Sequence, residues 1–210
     1  MQGPGYFFAA IATLALLAMC DVPALAQGSS SAIAINRPIA LVQGTQVGKA
    51  RFGLGDTGKG GNGHPVDGIE GSSHEMLKTH VHAHLSLFYR GEQIAVPAAI
   101  GIVGPFHVKD GFVGDGQGFY WLHTHDATGI IHIESPDDRS YTLGNFFDIW
   151  GQPLSNNDVA GLIGTVQAFV DGKRHTGSIR DIPLKEHEQI TLVVGKPVPT
   201  PPRYAFPQGL

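Results

Sequence analysis

Alternating apolar and polar positions dominate the chain after residue 79 and predict β-strands. The predicted strands are joined by short turns and occupy residues 80–89, 93–103, 119–124, 130–134, 164–170 and 189–194. One stretch breaks the alternation: its apolar residues form a broad helical side, with Thr142 placed as N-cap. The pattern predicts an all-β or β-rich α+β fold, an antiparallel sandwich or barrel-like domain with one short helix near residues 142–150.

The first 26 residues have the pattern of a secretory leader rather than of a fold. The apolar run Phe7–Met19 is shorter than the about 20 residues that span a bilayer, and residues 24–26 read Ala-Leu-Ala, which suits signal peptidase. We therefore predict a signal peptide over 1–26 and a periplasmic or secreted protein. Two alternatives stay open, acylation of Cys20 at a lipoprotein-type site and a retained anchor. Membrane attachment is expected only in those two cases.

The remainder divides by composition into three parts. Residues 27–63 form a Gly/Ser-rich stretch that predicts a flexible lead-in, 64–196 carry the strands and most histidines, and 197–210 predict a Pro-rich C-terminal strap. The glycines at 53–58 match a dinucleotide fingerprint. Gly61, Gly63 and Pro65 follow them, and these residues exclude the helix that a phosphate-binding loop requires.

Composition excludes some partners and ligands. The formal net charge is −4, so there is no basic excess and nucleic acid is not expected as a partner. Cys20 is the only cysteine of the chain and lies inside the predicted leader. A mature chain without it has no thiolate, and any metal must be held by histidine and carboxylate.

Histidines at every second position of the strand at 80–89 share one face. His80, His82 and His84 point to one side, and the apolar residues between them point to the other. His80 and His84 lie about 13 Å apart along an extended strand, so the three cannot all bind one ion unless the strand bends.

A second group of histidines is predicted to be tighter. His123 and His125 share a face of one strand, and His132 and Glu134 share a face of the next. If residues 126–129 form a four-residue hairpin loop, His123 faces His132 with Cβ atoms about 5 Å apart. The candidate metal ligands are His80, His82, His84, His123, His125 and His132. The candidate acceptors for their second ring nitrogens are Asp126, Glu134 and Asp148.

A histidine-only site without thiolate favours copper over zinc. The leading hypothesis is therefore an exported transition-metal-binding protein. One alternative is a metal-dependent enzyme, either a copper oxidoreductase or a zinc hydrolase, with no catalytic residue assigned. Another is a cell-envelope interaction module with incidental metal binding. A loose histidine array without one defined site also stays open.

Several segments of the chain resemble a family of exported bacterial proteins. The resemblance covers residues 64–210 and rests on VDGIE (66–70), HVHAHLSLF (80–88), YWLHTHDATGIIHIESP (120–136), YTLGNFFDIWGQPLS (141–155) and IRDIPLKEHEQITLVVG (179–195). It implies the domain boundaries and the histidine segments, but no reaction. Family members carry cysteines near the positions of Glu70 and Gly118 or Phe119. This chain has none there, so a disulfide is not implied.

Overall fold

The computed structural model describes residues 1–3, 5, 37–55, 60–74, 76 and 78–210. Apart from residues 1–3 and 5, the predicted leader with Cys20 lies outside the described residues. The fold below belongs to the compact unit Asn36–Leu210. Across the described ranges, no helix is both long enough and apolar enough to cross a membrane.

The secondary structure is β-rich with one short helix, as predicted. The described elements are, in chain order, β1 (Ile39–Ala40), β2 (Gly71–Ser72), β3 (Thr79–Tyr89), β4 (Glu92–Ile94), β5 (Ile102–Val103), β6 (Val108–Lys109), β7 (Phe112–Val113), β8 (Gly118–Tyr120), β9 (Leu122–His123), β10 (Ile130–Ser135), α1 (Leu143–Trp150), β11 (Asp158–Val159), β12 (Leu162–Ile163), β13 (Val166–Val170), β14 (Lys173–His175), β15 (Gln189–Val194) and β16 (Tyr204–Ala205).

The main sheet is built around the long strand β3. Its strand order is β14-β13-β15-β3-β10-β9, and β4 also pairs with β3. Strands β10 and β9 run antiparallel to their neighbours, whereas β15 pairs in parallel with β3. The sheet is therefore mixed rather than purely antiparallel.

Two predicted strands are interrupted. The return strand expected over 93–103 ends at Ile94, and the chain turns before β5 begins at Ile102. Pro97 lacks a backbone N–H for a ladder, and Gly101 adopts φ 69, a left-handed conformation that a continuous strand does not contain. The strand expected over 119–124 is split at Trp121 into β8 and β9.

One face of the main sheet forms the hydrophobic core. Ala83, Leu85, Ile131 and Ile133 are buried on this face and pack in the same cluster as α1. The helix begins after its N-cap Thr142, as predicted, and Gly151 ends it in a left-handed conformation. Its aromatic and aliphatic side chains are completely buried, namely Phe146, Phe147, Ile149 and Trp150. The core therefore fixes the positions of β3 and β10.

The C-terminal segment crosses the region beside the other face. β16 pairs in parallel with β1, a short strand within the stretch predicted as lead-in. The His187 ring lies 2.9 Å from the Leu210 carbonyl oxygen and stacks on Phe206 at 4.5 Å. These contacts hold residues 204–210 close to the histidines of β3 and β10.

Gly129 ends the turn that joins the two histidine segments, and its substitution tests that turn. It adopts φ 89, and a Cβ there would lie 2.5 Å from the Leu85 carbonyl oxygen. Gly172 provides a matched control, since it adopts φ 77 in a hairpin turn with no heavy atom within 4 Å of an added Cβ.

We expect Gly172→Ala to lower the free energy of unfolding by about 1–2 kcal/mol, the usual cost of a left-handed residue with a side chain. Gly129→Ala should cost clearly more, because strain and a backbone clash add. Urea denaturation measures both, and equal losses would show that the contact with Leu85 is unimportant.

Candidate metal centre

Three histidines form a row across neighbouring strands. His132 of β10 pairs directly with His82 of β3 on one side and with His123 of β9 on the other. The pairing of His123 with His132 was predicted from the hairpin and is confirmed. The ring centroids of His82 and His132 are 4.6 Å apart, and those of His123 and His132 are 5.3 Å apart. Strand register alone therefore brings three imidazoles together.

His125 joins this row from beyond the end of β9, and β7 holds it there. The Val113 backbone N–H donates to the His125 carbonyl at 2.9 Å. The His125 Nδ1 lies 2.6 Å from the Val113 carbonyl oxygen, and the ring stacks on Phe112 at 4.7 Å. The imidazole is thus held by hydrogen bonding on one edge and by an aromatic ring on one face.

The ring nitrogens of His123 and His125 are oriented by backbone carbonyls. His123 Nδ1 lies 2.8 Å from the Tyr120 carbonyl oxygen, which corresponds to the Val113 contact of His125. A carbonyl oxygen can only accept, so each Nδ1 must donate, and in a neutral ring Nε2 then keeps its lone pair. The two Nε2 atoms face each other at 3.1 Å. Two lone pairs at this distance repel each other unless a proton or a metal cation lies between them.

This separation fits two ligands of one metal ion. With metal–nitrogen bonds of about 2.0–2.1 Å, nitrogens 3.1 Å apart subtend an angle of about 95–102° at the ion. That angle lies between the octahedral and the tetrahedral values. The backbone has therefore arranged both imidazoles as they would be in a coordination sphere.

Glu134 adds a carboxylate to the cluster. The possible metal ligands form two sets, and Glu134 and His132 belong to both. We call His123, His125, His132 and Glu134 the inner set, and all four side chains are buried. The outer set consists of His80, His82, His132 and Glu134, in which only His80 is exposed. Within each set, one ligand atom per residue lies within 4.8 Å of all the others. Both sets therefore have the composition and spacing to hold a metal ion. The prediction of a histidine-only site is corrected, because Glu134 belongs to each set.

Burial favours the neutral form of His82, His123 and His132. It lowers the pKa of His123 and His132 well below the usual value, and neighbouring histidines lower both further. Burial, followed by the charge of His80, lowers the pKa of His82 to about 4. Burial also raises the pKa of Glu134, although His80 and His125 oppose this effect. Neutral imidazole is the form that binds metals, so these rings are ready to act as ligands at neutral pH.

Two polar atoms of the cluster lack hydrogen bonds. Among the residues that the structure describes, His82 Nε2 and Glu134 Oε2 are buried without a hydrogen-bond partner. Leaving a buried polar atom unsatisfied typically costs about 1–3 kcal/mol, so native proteins usually pair it with a protein group, an ordered water or an ion. Both atoms belong to residues of the ligand sets, and metal binding in these sets could satisfy them.

A cavity of about 290 Å³ opens beside the cluster. Residues of both sets line it, namely His80, His125, His132 and Glu134. Phe112, Ile130 and the C-terminal residues 207–210 complete its walls. Solvent or a small molecule in this cavity could therefore reach an ion in either set.

Three predicted site residues lie outside the two sets. The His84 Nε2 contacts the Thr128 carbonyl oxygen at 2.9 Å, and its ring packs against Tyr204. Asp126 accepts hydrogen bonds from the Gly44 and Thr128 backbone N–H groups, and so stabilises the turn rather than a histidine. Asp148 forms an ion pair with Arg180.

The acceptors for the histidine rings also differ from those predicted. Backbone carbonyls of Tyr120 and Val113 take the place expected for Asp126 and Asp148. Glu134 does contact a ring, with Oε1 at 3.1 Å from His132 Nδ1, but it also belongs to both ligand sets. The shared face of His132 and Glu134 was visible in the sequence. No sequence signal identified Val113 or Phe112.

Comparisons with known proteins add no relative: no family model, no curated protein and no solved structure matches the chain.

The buried histidines predict acid sensitivity of the metal-free protein. Burial lowers the pKa of His84 to about 4, as it does for His82, and the pKa values of His123 and His132 are lowered as well. Between pH 6.5 and 4 the unfolded chain therefore binds protons that the folded chain does not, so the free energy of unfolding falls as the pH falls. For His84 alone the loss approaches about 3 kcal/mol.

Urea denaturation of chelator-treated protein at several pH values measures this loss. His84→Gln should reduce the slope over this range, because glutamine can donate to Thr128 but does not ionise. His107 is a control, since it is exposed and its pKa is raised by a hydrogen bond to Asp115. In His107→Gln the free energy of unfolding should still fall as the pH is lowered from 6.5 to 4. A stability that is constant or rises towards pH 4 would contradict the account.

Proposed function

We propose that this chain is an exported transition-metal-binding protein that holds its ion in the inner set, with copper ahead of zinc. Export rests on the predicted leader, and the expected location is the periplasm or the medium. The main support for binding is the pair of Nε2 atoms from His123 and His125 at 3.1 Å, each imidazole being oriented by a backbone carbonyl.

The donor set supports a transition metal over calcium or magnesium. Imidazole nitrogens outnumber carboxylate oxygens by three residues to one in the inner set. Hard cations prefer oxygen ligands, whereas imidazole suits copper, zinc, nickel and iron. Among the divalent ions, copper forms the most stable complexes with such a set, which is why copper is placed ahead of zinc.

Catalysis at the ion is a second candidate function, as either a copper oxidoreductase or a zinc hydrolase. The cavity of about 290 Å³ beside His125 and His132 favours it. A structural zinc site is normally closed by four protein ligands, whereas a catalytic site keeps a position for water or substrate. An ion exposed to this cavity could keep such a position.

Electron paramagnetic resonance of the protein with less than one equivalent of copper(II) tests the proposal. We expect one ordered, nitrogen-rich signal that is lost or becomes heterogeneous in His123→Ala. His107→Ala removes an exposed histidine outside both sets and should leave the signal unchanged. A heterogeneous signal in the parent protein, or a signal that His123→Ala does not alter, would contradict the proposal.

Adding azide to the same copper-loaded sample separates binding from the catalytic candidate. A change of the signal and a new charge-transfer band indicate an open position facing the cavity. A spectrum that azide does not change indicates a closed site.

A further inference from the structure

We propose that the cluster is built for two metal ions, one in each set, with the Glu134 carboxylate shared between them. This inference rests on the proposed function, since the second ion presupposes a first in the inner set. It adds an outer ion whose own ligands are His80 and His82.

The number of ligands exceeds what one ion requires. The two sets share only His132 and Glu134, and together they contain six side chains. A four-coordinate ion in the inner set leaves His80 and His82 without a role, although their ring centroids are 4.9 Å apart. His82 is also buried, and its Nε2 has no hydrogen-bond partner, which is unfavourable for a buried polar atom.

The two oxygens of Glu134 face different sets. Oε1 lies 3.4 Å from His80 Nε2, and Oε2 lies 3.9 Å from His123 Nε2. With bonds of about 2.0–2.1 Å, atoms 3.4 Å apart subtend about 108–116° at an ion, close to the tetrahedral value. Atoms 3.9 Å apart would subtend about 136–154° at one ion, so Glu134 Oε2 and His123 Nε2 would move closer together on binding it. The carboxylate is therefore placed to bridge two ions, which lie about 3.5–4 Å apart in known two-metal sites.

The two unsatisfied buried atoms of the cluster lie on His82, which only the outer set contains, and on Glu134, which both sets share. The unsatisfied atom of His82 is Nε2, whereas the unsatisfied Oε2 of Glu134 lies on the side of His123, in the inner set. One ion near His123 would satisfy only the carboxylate oxygen. With the first ion in the inner set, a second ion in the outer set would give His82 Nε2 a partner, and this favours two ions over one.

The cavity reaches both positions. It is lined by His80, which only the outer set contains, and by His125, which only the inner set contains. Water or a small anion could therefore contact both ions from the same side. A small anion, or hydroxide formed from such a water, would offset part of the positive charge that a single carboxylate leaves uncompensated.

Metal analysis of the full chain tests the inference. The protein is stripped with chelator, saturated with copper(II) and desalted, and the bound copper is counted. We expect two ions per chain in the parent protein and one in His80→Ala and in His82→Ala. His80 has a side chain that is 41% exposed, so its variant remains informative if the buried His82→Ala fails to fold. His84→Gln, on the same strand but outside both sets, should keep two ions.

The magnetic coupling of the ions tests the bridge. Two copper(II) ions at the expected separation interact, so the saturated parent protein should lose most of its simple copper signal. His80→Ala should restore the signal of one isolated ion, and Glu134→Gln should abolish the coupling.

The possible results separate this inference from the proposed function. One ion in the parent protein, unchanged in His80→Ala and His82→Ala, would overturn the two-ion inference and leave the inner site intact. Two ions without coupling, both kept in Glu134→Gln, would overturn the bridge. A parent protein that retains no ion would overturn the proposed function itself.

Discussion

The hydrogen bonds from His123 to the Tyr120 carbonyl and from His125 to the Val113 carbonyl determine what this cluster can do. They place the ring protons on Nδ1 and leave the Nε2 lone pairs facing each other at 3.1 Å. In water such rings would turn apart, but here burial and strand pairing hold them in place. A cation between the two nitrogens would relieve the repulsion of their lone pairs, so the spacing that two ligands of one ion need is already present in the fold.

One face of the main sheet packs in the hydrophobic core, and the other carries the histidine cluster. Ala83, Leu85, Ile131 and Ile133 bind the sheet to the hydrophobic core around α1 and thereby fix the register of β3 against β10. That register places His82 beside His132 on the opposite face. A slip by one residue would turn every side chain of a strand to the other face, so core packing and ligand geometry depend on the same pairing. The burial that desolvates the histidines also lowers their pKa values, which keeps them available to a metal at neutral pH.

Local sequence patterns were sufficient to predict the hairpin that pairs His123 with His132. Alternation predicted which residues share a face, and the short loop between His125 and Ile130 predicted that His123 meets His132. The approach of β3 to β10 was not predictable from local patterns, because it is a pairing between distant segments. The same applies to Val113 and Phe112, which reach His125 from a separate hairpin. Asp126 and Asp148 were assigned to the histidines by proximity in sequence, but turn and helix geometry direct them to other partners.

Anomalous diffraction from crystals of copper-loaded protein, measured at the copper absorption edge, locates the bound ion directly. We expect a peak about 2.0–2.2 Å from the Nε2 atoms of both His123 and His125, with His132 and Glu134 as the remaining ligands. Peaks found only at exposed histidines such as His107, with none between His123 and His125, would contradict this expectation.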